Sequence, residues 1–198
     1  MPRPSNTEQR RREIVGGLMR VMADRGYERA SIKQIASEAG VASGIVHYHF
    51  GSKQKILVAL VEELSERIRG RYEGASHYGS HREKLFALLD AHLALGEGSD
   101  PQVVAAWVAV GAEAVGQPEV REVYAQQVAR TVEALRTHLA GWLVSEGKDP
   151  ARSEPGAAAL MAAIEGAYQL SAAAPGVLPS GYAAPSVRLL ATSLVDSA

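Results

Sequence analysis

The chain has 198 residues, 46% of them apolar, a formal net charge of −1 and no cysteine. That length suits one small lobe and one larger core, and the lack of cysteine rules out a disulfide framework or a thiolate metal site. No apolar run approaches the roughly 20 residues needed to span a bilayer, and the first residues are polar rather than signal-like, so the expected location is the cytoplasm, with no membrane partner.

The near-zero net charge conceals an asymmetry. Residues 1–55 carry ten Lys or Arg against five Asp or Glu, and residues 56–198 carry eleven against seventeen. A basic front on an acidic body is what attraction to phosphate at one end requires; a chance fluctuation of surface charge is the competing explanation.

In chain order, MPRPSN reads as a short disordered arm, after which Asn6 or Thr7 caps a helix running to about Arg25 with Ile14, Leu18, Val21 and Met22 on one face. Arg10, Arg11 and Arg12 sit at its start. Arginines on a helix usually form a solvated face, but the positive end of the dipole is a poor place for them. A nearby phosphate offsets that penalty, so they are candidate backbone contacts. Gly26-Tyr27 ends this helix, and the tyrosine body is expected between the first two helices.

The stretch SIKQIASEAGVASGIVHYHFGSKQK, residues 31–55, organises the rest. Ser31 with Gln34 forms a capping-box pattern, and Ile32, Ile35, Ala36 and Ala39 recur at helical spacing. Gly40 then supplies the left-handed stop. A second short helix follows from about Ala42 to His49, and Gly51-Ser52-Lys53 breaks the chain and caps the next helix. Two short helices joined by a tight glycine turn form a helix-turn-helix candidate whose second helix enters the DNA major groove; such pairs are also ordinary in any all-helical core. The exposed-looking content of the second helix favours DNA. Ser43 and Gly44 are best placed for base edges, with Ile45 beside them. His47, Tyr48 and His49 offer polar aromatic tips, His47 and Tyr48 toward phosphates. Phe50 is expected to close the core. Lys33 and Gln34 lie on the open side of the preceding helix, and Lys53 pairs its charge with first-turn N–H groups aimed at a phosphate. His47 and His49 do not suggest metal, because an i,i+2 pair does not share a helix face.

Gly26-Tyr27, Ser31, Ile35-Ala36, Ala39-Gly40-Val41, Gly44, Tyr48-His49-Phe50 and Ser52-Lys53 together resemble the DNA-binding domain of TetR-family transcriptional regulators over roughly residues 8–55. The resemblance implies an all-α homodimer of about nine helices per chain, with a three-helix DNA-binding domain at 1–55 and a larger ligand-binding and dimerisation bundle at 56–198. Three positions depart from the usual pattern: Ala42 where Ser or Thr commonly caps, Ile45 where a small polar residue is common, and His47 where a phosphate-contacting Tyr is usual. They bear on the operator sequence.

Further along, a helix is expected from Lys53 to about Tyr72, with Ile56, Leu60, Leu64 and Ile68 in register, linking the two domains. A loop follows at Gly74–Ser80, with His77 and Tyr78 at the surface. The next helix, about Arg82–Leu95, presents Leu85, Leu88, Leu89, His92 and Leu93. Gly96–Asp100 breaks the chain before Pro101–Val115, whose expected stripe is Val104, Trp107, Val108 and Gly111. A long helix from Gln117-Pro118 to about Ser145 carries Val120, Tyr124, Val128, Leu135, Leu139 and Trp142. Gly147–Gly156 reads as a linker, followed by helices at about Ala157–Ala173 and from about Ala184.

Leu160, Ile164, Ala167 and Ser171, with Val187, Leu190 and Leu194, are the expected dimer contacts; in TetR-like proteins the last two helices form a four-helix interface with their twins. Packing within one chain is the alternative. A two-fold dimer also matches a near-palindromic operator on double-stranded DNA.

The segments AWVAVGAEAVGQPEVREVYAQQVARTVEALR and ALMAAIEGAYQ resemble, more loosely, the C-terminal domain of choline-responsive repressors of betaine synthesis. For a bound cation, Trp107, Tyr124 and Tyr168 offer π-faces and Glu113 or Glu165 a counter-charge. His92 is either a further ligand contact or a satisfied core histidine, and core packing is the other reading of the aromatics. Glu62-Glu63 and Glu119 with Glu122 are solvated helix charges, and no nucleophile–base pair, carboxylate pair or metal set is spaced for catalysis. The expected function is therefore a non-enzymatic, cofactor-free transcriptional regulator, a repressor released by a small-molecule effector. A DNA-binding dimer without such an effector, architectural or protein-regulated, is the alternative.

Overall fold

A computed structural model describes residues 6–75, 79–93 and 100–197. Most of the expected N-terminal arm, the centre of the 74–80 loop with His77 and Tyr78, Leu95, and the 96–99 break lie outside the described residues. Among those described, the chain is helical throughout, in the order α1 Asn6–Arg25, α2 Ile32–Ala39, α3 Ser43–Phe50, α4 Lys53–Ala75, α5 His81–Leu93, α6 Pro101–Gly116, α7 Pro118–Ser145, α8 Ser153–Ala173 and α9 Ala183–Asp196.

The local signals at residues 26–52 behave as their chemistry requires. Ser31 and Gln34 complete a reciprocal capping box, the Ser31 N–H donating to Gln34 Oε1 at 2.9 Å and the Gln34 N–H to Ser31 Oγ at 3.3 Å. Gly40 ends α2 at φ 66°, a left-handed backbone natural to glycine. Ser52 Oγ accepts the Lys55 N–H at 3.2 Å and opens α4.

Two compact units emerge. One contains the chain up to Leu64 together with Gln102–Tyr124; the other contains Ser65–Pro101 and Ala125–Ala198. The expected division after residue 55 follows chain order, whereas compactness keeps the first half of α4, nearly all of α6 and the start of α7 with the helix-turn-helix. In the first unit α1 buries Ile14, Val15, Leu18, Met19, Val21 and Met22. It meets α2 at Gly17, where a Cβ would lie 2.7 Å from the Ile35 carbonyl oxygen and 3.1 Å from Ala39 Cβ. Val46 and Phe50 anchor α3 beneath the surface. The α6 stripe is Val104, Ala106, Trp107, Val110 and Ala114; Val108 and Gly111, expected in it, are only half-buried.

In the second unit α5, α8 and α9 pack on one another. Leu85, Leu89, Leu93, Leu135 and Leu139 are fully enclosed. The Tyr72 hydroxyl meets His138 Nε2 at 2.7 Å, and Arg188 of α9 pairs with Asp90 of α5. The linker expected at Gly147–Gly156 is shorter than its Pro and Gly content suggested. A 3₁₀ turn at Pro150–Arg152 leads straight into α8 at Ser153, because Pro155 falls in the first turn, where a missing N–H costs no intrahelical bond.

Candidate nucleic-acid interface

α3 is amphipathic over two turns. Val46 is 1% exposed and Phe50 is buried, whereas Ile45 is 40% and Tyr48 83% exposed, with Gly44 and His47 also open. The segment 43–49 therefore projects from its lobe. Four features adapt it to a duplex. Gly44 faces open space, so backbone can approach a base edge closely. Ala42 provides no side-chain cap, so beyond the Ile45 N–H, which donates to the Ala42 carbonyl at 2.9 Å, the start of α3 has room for an external acceptor. Ile45 offers an apolar surface suited to a thymine methyl. The Tyr48 and His49 rings meet edge to face at 5.2 Å and 82°, which steadies the exposed phenol for a phosphate oxygen. Lys33 is exposed on α2, and Ser43 is half-buried at the head of α3.

Three expected contacts have partners inside the lobe. Lys53 Nζ donates to the Tyr27 carbonyl at 2.9 Å and lies 4.1 Å from the Tyr27 ring centroid. Arg11 Nη1 donates to the His49 carbonyl at 2.8 Å, its guanidinium 4.2 Å over the Phe50 ring. Both cations tie elements together, Lys53 holding the α1–α2 turn to α4 and Arg11 holding α1 to the end of α3. Arg10 pairs with Glu13 at 2.8 Å, and that bond holds the Glu13 carboxyl below its ordinary value. Arg12, expected alongside Arg10 and Arg11, is exposed, and so is Lys55, which the sequence pattern did not single out.

The six expected effector residues separate into groups. In the second unit the Tyr168 hydroxyl donates to the His92 carbonyl at 3.0 Å. Its lone pair then receives the His92 Nδ1 proton, also at 3.0 Å. Burial, with a smaller contribution from Arg71, pushes the His92 pKa down to about 4. His92 is thus a neutral, satisfied core histidine. In the first unit Trp107 and Tyr124 pack ring on ring at 5.2 Å and 38°, with Gly111 passing under the Tyr124 hydroxyl. Glu113, half-buried on the same helix as Trp107, accepts from Gln117 Nε2 at 2.7 Å. Glu165 is half-buried on α8. Grooves of about 450 Å³ beside Arg71, Phe86 and Arg188, and about 500 Å³ beside Arg130, Glu133 and His138, are lined by none of the six.

Of the expected dimer contacts, Leu160, Ile164, Ala167 and Val187 are buried within the chain itself, and Ser171, Leu190 and Leu194 are half-buried. The helical period points those four inward. Large apolar side chains that α8 and α9 leave open are Leu170 and Leu189, 47% and 68% exposed.

Comparison with known proteins agrees with this geometry. Residues 14–60 match the family described as bacterial regulatory proteins, tetR family, and residues 81–196 match the C-terminal domain of BetI-type transcriptional repressors. The chain is 31% identical over 171 residues to the HTH-type transcriptional regulator BetI of Rhizobium meliloti, covering 85% of this chain and 80% of that one. A transcriptional regulator from Rhodococcus sp. Rha1 shares the fold with a TM-score of 0.81 at 22% identity, over 94% of this chain and 96% of that one. A regulator from Saccharomonospora viridis, solved in complex with choline, superposes with a TM-score of 0.75 at 24% identity over 94% and 95% of the two chains. No helix among the described residues is long and apolar enough to cross a membrane. A helix-turn-helix with its second helix turned outward, followed by a helical regulatory domain with a BetI-type match, makes this chain a transcriptional regulator that belongs to the tetR family of bacterial regulatory proteins.

Proposed function

We propose that this regulator is a homodimeric repressor that lays its two α3 helices in successive major grooves of a near-palindromic operator and leaves it when a small-molecule effector binds. The outward projection of Ile45, His47 and Tyr48 over a buried Val46–Phe50 anchor carries the reading. Residues 1–55 supply the DNA contacts, and 56–198 the regulatory and dimerising functions. Ser43, Gly44 and Ile45 read base edges, while Lys33, His47, Tyr48 and His49, with Arg10 at the head of α1, serve phosphates. The exposed Leu170 and Leu189 give a second copy an apolar surface to cover.

For the effector, the BetI-type match and the choline complex of a structural neighbour support a small quaternary ammonium cation. The Trp107–Tyr124 pair, with Glu113 on the same helix as Trp107, has the chemistry for it, π-faces and one carboxylate. Such a ligand acts by preferring the conformation in which the recognition helices are misplaced, and by no more than its differential affinity. The self-satisfied His92–Tyr168 pair and the mutual packing of Trp107 and Tyr124 favour the alternative of a DNA-binding dimer without an effector.

Selection of bound fragments from random duplex DNA tests the main reading, which predicts one enriched palindromic sequence. Tyr48→Ala then weakens binding to all fragments alike, by about tenfold or more, and Ser43→Ala changes the preferred bases. No enrichment by a folded wild-type protein refutes it. Choline chloride that neither raises the melting temperature nor releases the selected fragment refutes the cation.

A further inference from the structure

Both helices of the helix-turn-helix end beneath an arginine of α1. At the end of α2 the Val41 N–H donates to the Ala36 carbonyl at 3.0 Å and the Gly40 N–H to the Ser37 carbonyl at 3.2 Å. The next carbonyl, that of Glu38, takes a bond from Arg20 Nη2, while the Glu38 carboxylate pairs with Arg20 Nε at 3.3 Å. At the end of α3 the Gly51 N–H donates to the His47 carbonyl at 2.9 Å. The His49 carbonyl takes Arg11 Nη1 at 2.8 Å, and the guanidinium lies 4.2 Å from the Phe50 ring centroid. The last carbonyls of a helix lack intrahelical donors, and a cation there meets the negative end of the dipole. Each arginine supplies what its helix end is missing.

The two helices depend on this grip to different degrees. α2 is seated on α1 by direct contact, since a Cβ at Gly17 would lie 2.7 Å from the Ile35 carbonyl oxygen, and Ile35 and Ala36 are buried. α3 has eight residues, of which Val46 and Phe50 are buried. Four residues apart, those two side chains stand on one line along the helix. They fix its depth and leave it free to swing. Its N-terminal end is open, with no side-chain cap from Ala42 and nothing within 4 Å of a Cβ at Gly44. Arg11 holds the backbone of the opposite end, and so fixes the direction of the axis.

We propose that Arg11 is a positioning residue that sets the direction of α3 through the His49 carbonyl, and thereby decides which bases Ser43, Gly44 and Ile45 meet. The proposal rests on the DNA-binding reading and deepens it. Ser43 lies six residues from His49, about 9 Å along the axis, so a swing of about 10° moves it by about 1.5 Å, enough to break a hydrogen bond to a base edge. Long side chains on phosphates follow such a swing. Losing Arg11 therefore costs base preference before it costs attraction to DNA.

Three variants of the full-length chain test this: Arg11→Gln, Arg11→Lys, and Arg20→Gln, which removes the same charge from the same helix. Each is titrated, below its unfolding transition, with a fragment enriched from random duplexes and with a scrambled one. Arg11→Gln lowers the ratio of the two affinities at least about tenfold, while its affinity for the scrambled fragment stays within about threefold of wild type and its salt slope is unchanged. Arg11→Lys keeps a donor for the carbonyl but no planar face for Phe50; its ratio falls between the two, and it stands in should Arg11→Gln fail to fold. Arg20→Gln keeps the wild-type ratio. A variant of Arg11 that binds both fragments equally more weakly, with a salt slope about one unit smaller, makes Arg11 a phosphate contact and overturns the proposal. So does one that is less stable in urea but keeps the wild-type ratio. Should no fragment be enriched, the DNA reading falls and hydrogen exchange of the free protein decides whether Arg11 directs α3. Arg11→Gln, or Arg11→Lys in its place, then speeds exchange of the Gly51 amide at least about fivefold and leaves the Gly40 amide at its wild-type rate. Equal acceleration of the two, or none, overturns the proposal.

Discussion

Lys53 reaches back 26 residues to cap the Tyr27 carbonyl at 2.9 Å and seats its ammonium 4.1 Å from the same residue's ring. A lysine at the head of α4 points by position toward DNA, yet its charge is occupied by the α1–α2 turn. The distinction is measurable. Lys53→Ala is expected to lower stability in urea by about 1–2 kcal/mol, through loss of charge-assisted hydrogen bonds at a half-buried site. The slope of log affinity against log salt should stay as in wild type, because a phosphate contact contributes about one unit to it. Lys55→Ala at an exposed site changes stability by less than about 0.5 kcal/mol. A Lys53→Ala protein of unchanged stability and reduced salt slope would return Lys53 to the phosphate contacts.

Two glycines separate folding from recognition. A Cβ at Gly17 would sit 2.7 Å from the Ile35 carbonyl oxygen, so Gly17→Ala should force α2 off α1 and cost about 1–3 kcal/mol. A Cβ at Gly44 meets nothing within 4 Å. Gly44→Ala is therefore neutral or up to about 1 kcal/mol stabilising, while the added methyl stands where a base edge must approach. Thermal unfolding and DNA binding on the two variants give opposite patterns if α3 faces the groove. Wild-type affinity in Gly44→Ala would remove that residue from the interface.

His92 sets an acid limit on stability. Its folded pKa is depressed to about 4 from an ordinary 6.5. The unfolded chain thus binds the proton first, and stability falls as pH drops from about 6.5 toward 4. From pH 7.5 to pH 5 the expected loss from this residue is about 2 kcal/mol. His92→Gln, which keeps a donor for the Tyr168 hydroxyl, should flatten that part of the profile while lowering stability at pH 7.5. Urea titrations at the two pH values decide it; identical slopes in the two proteins would show that His92 does not govern the acid limb.

Leu170 and Leu189 are exposed apolar side chains on the last two helices. If a second copy covers them, Leu170→Glu with Leu189→Glu should shift the protein to monomer in sedimentation velocity and abolish binding to a two-half-site fragment. The melting temperature of the monomer should depend little on protein concentration. A double variant that stays dimeric at micromolar concentration places the interface elsewhere.

What the chain dictated by itself was everything that local interaction decides. The Ser31–Gln34 box, the glycine stop at 40, the Ser52 cap and the apolar periodicity of α1 to α9 each depend on neighbours within a turn or two, so their chemistry is written in adjacent letters. The inward set of α3, Val46 and Phe50, follows from the same period, and with it the outward set that makes the DNA reading. Tertiary structure alone decided the partners. Arg11 reaches across 38 residues to the His49 carbonyl, Lys53 turns inward to Tyr27, and His92 closes a bond pair with Tyr168. A cation on a helix end looks the same in sequence whether a phosphate or a backbone carbonyl awaits it. Only the packing of distant helices settles which acceptor lies within reach, and that packing is a sum over contacts no window of sequence contains.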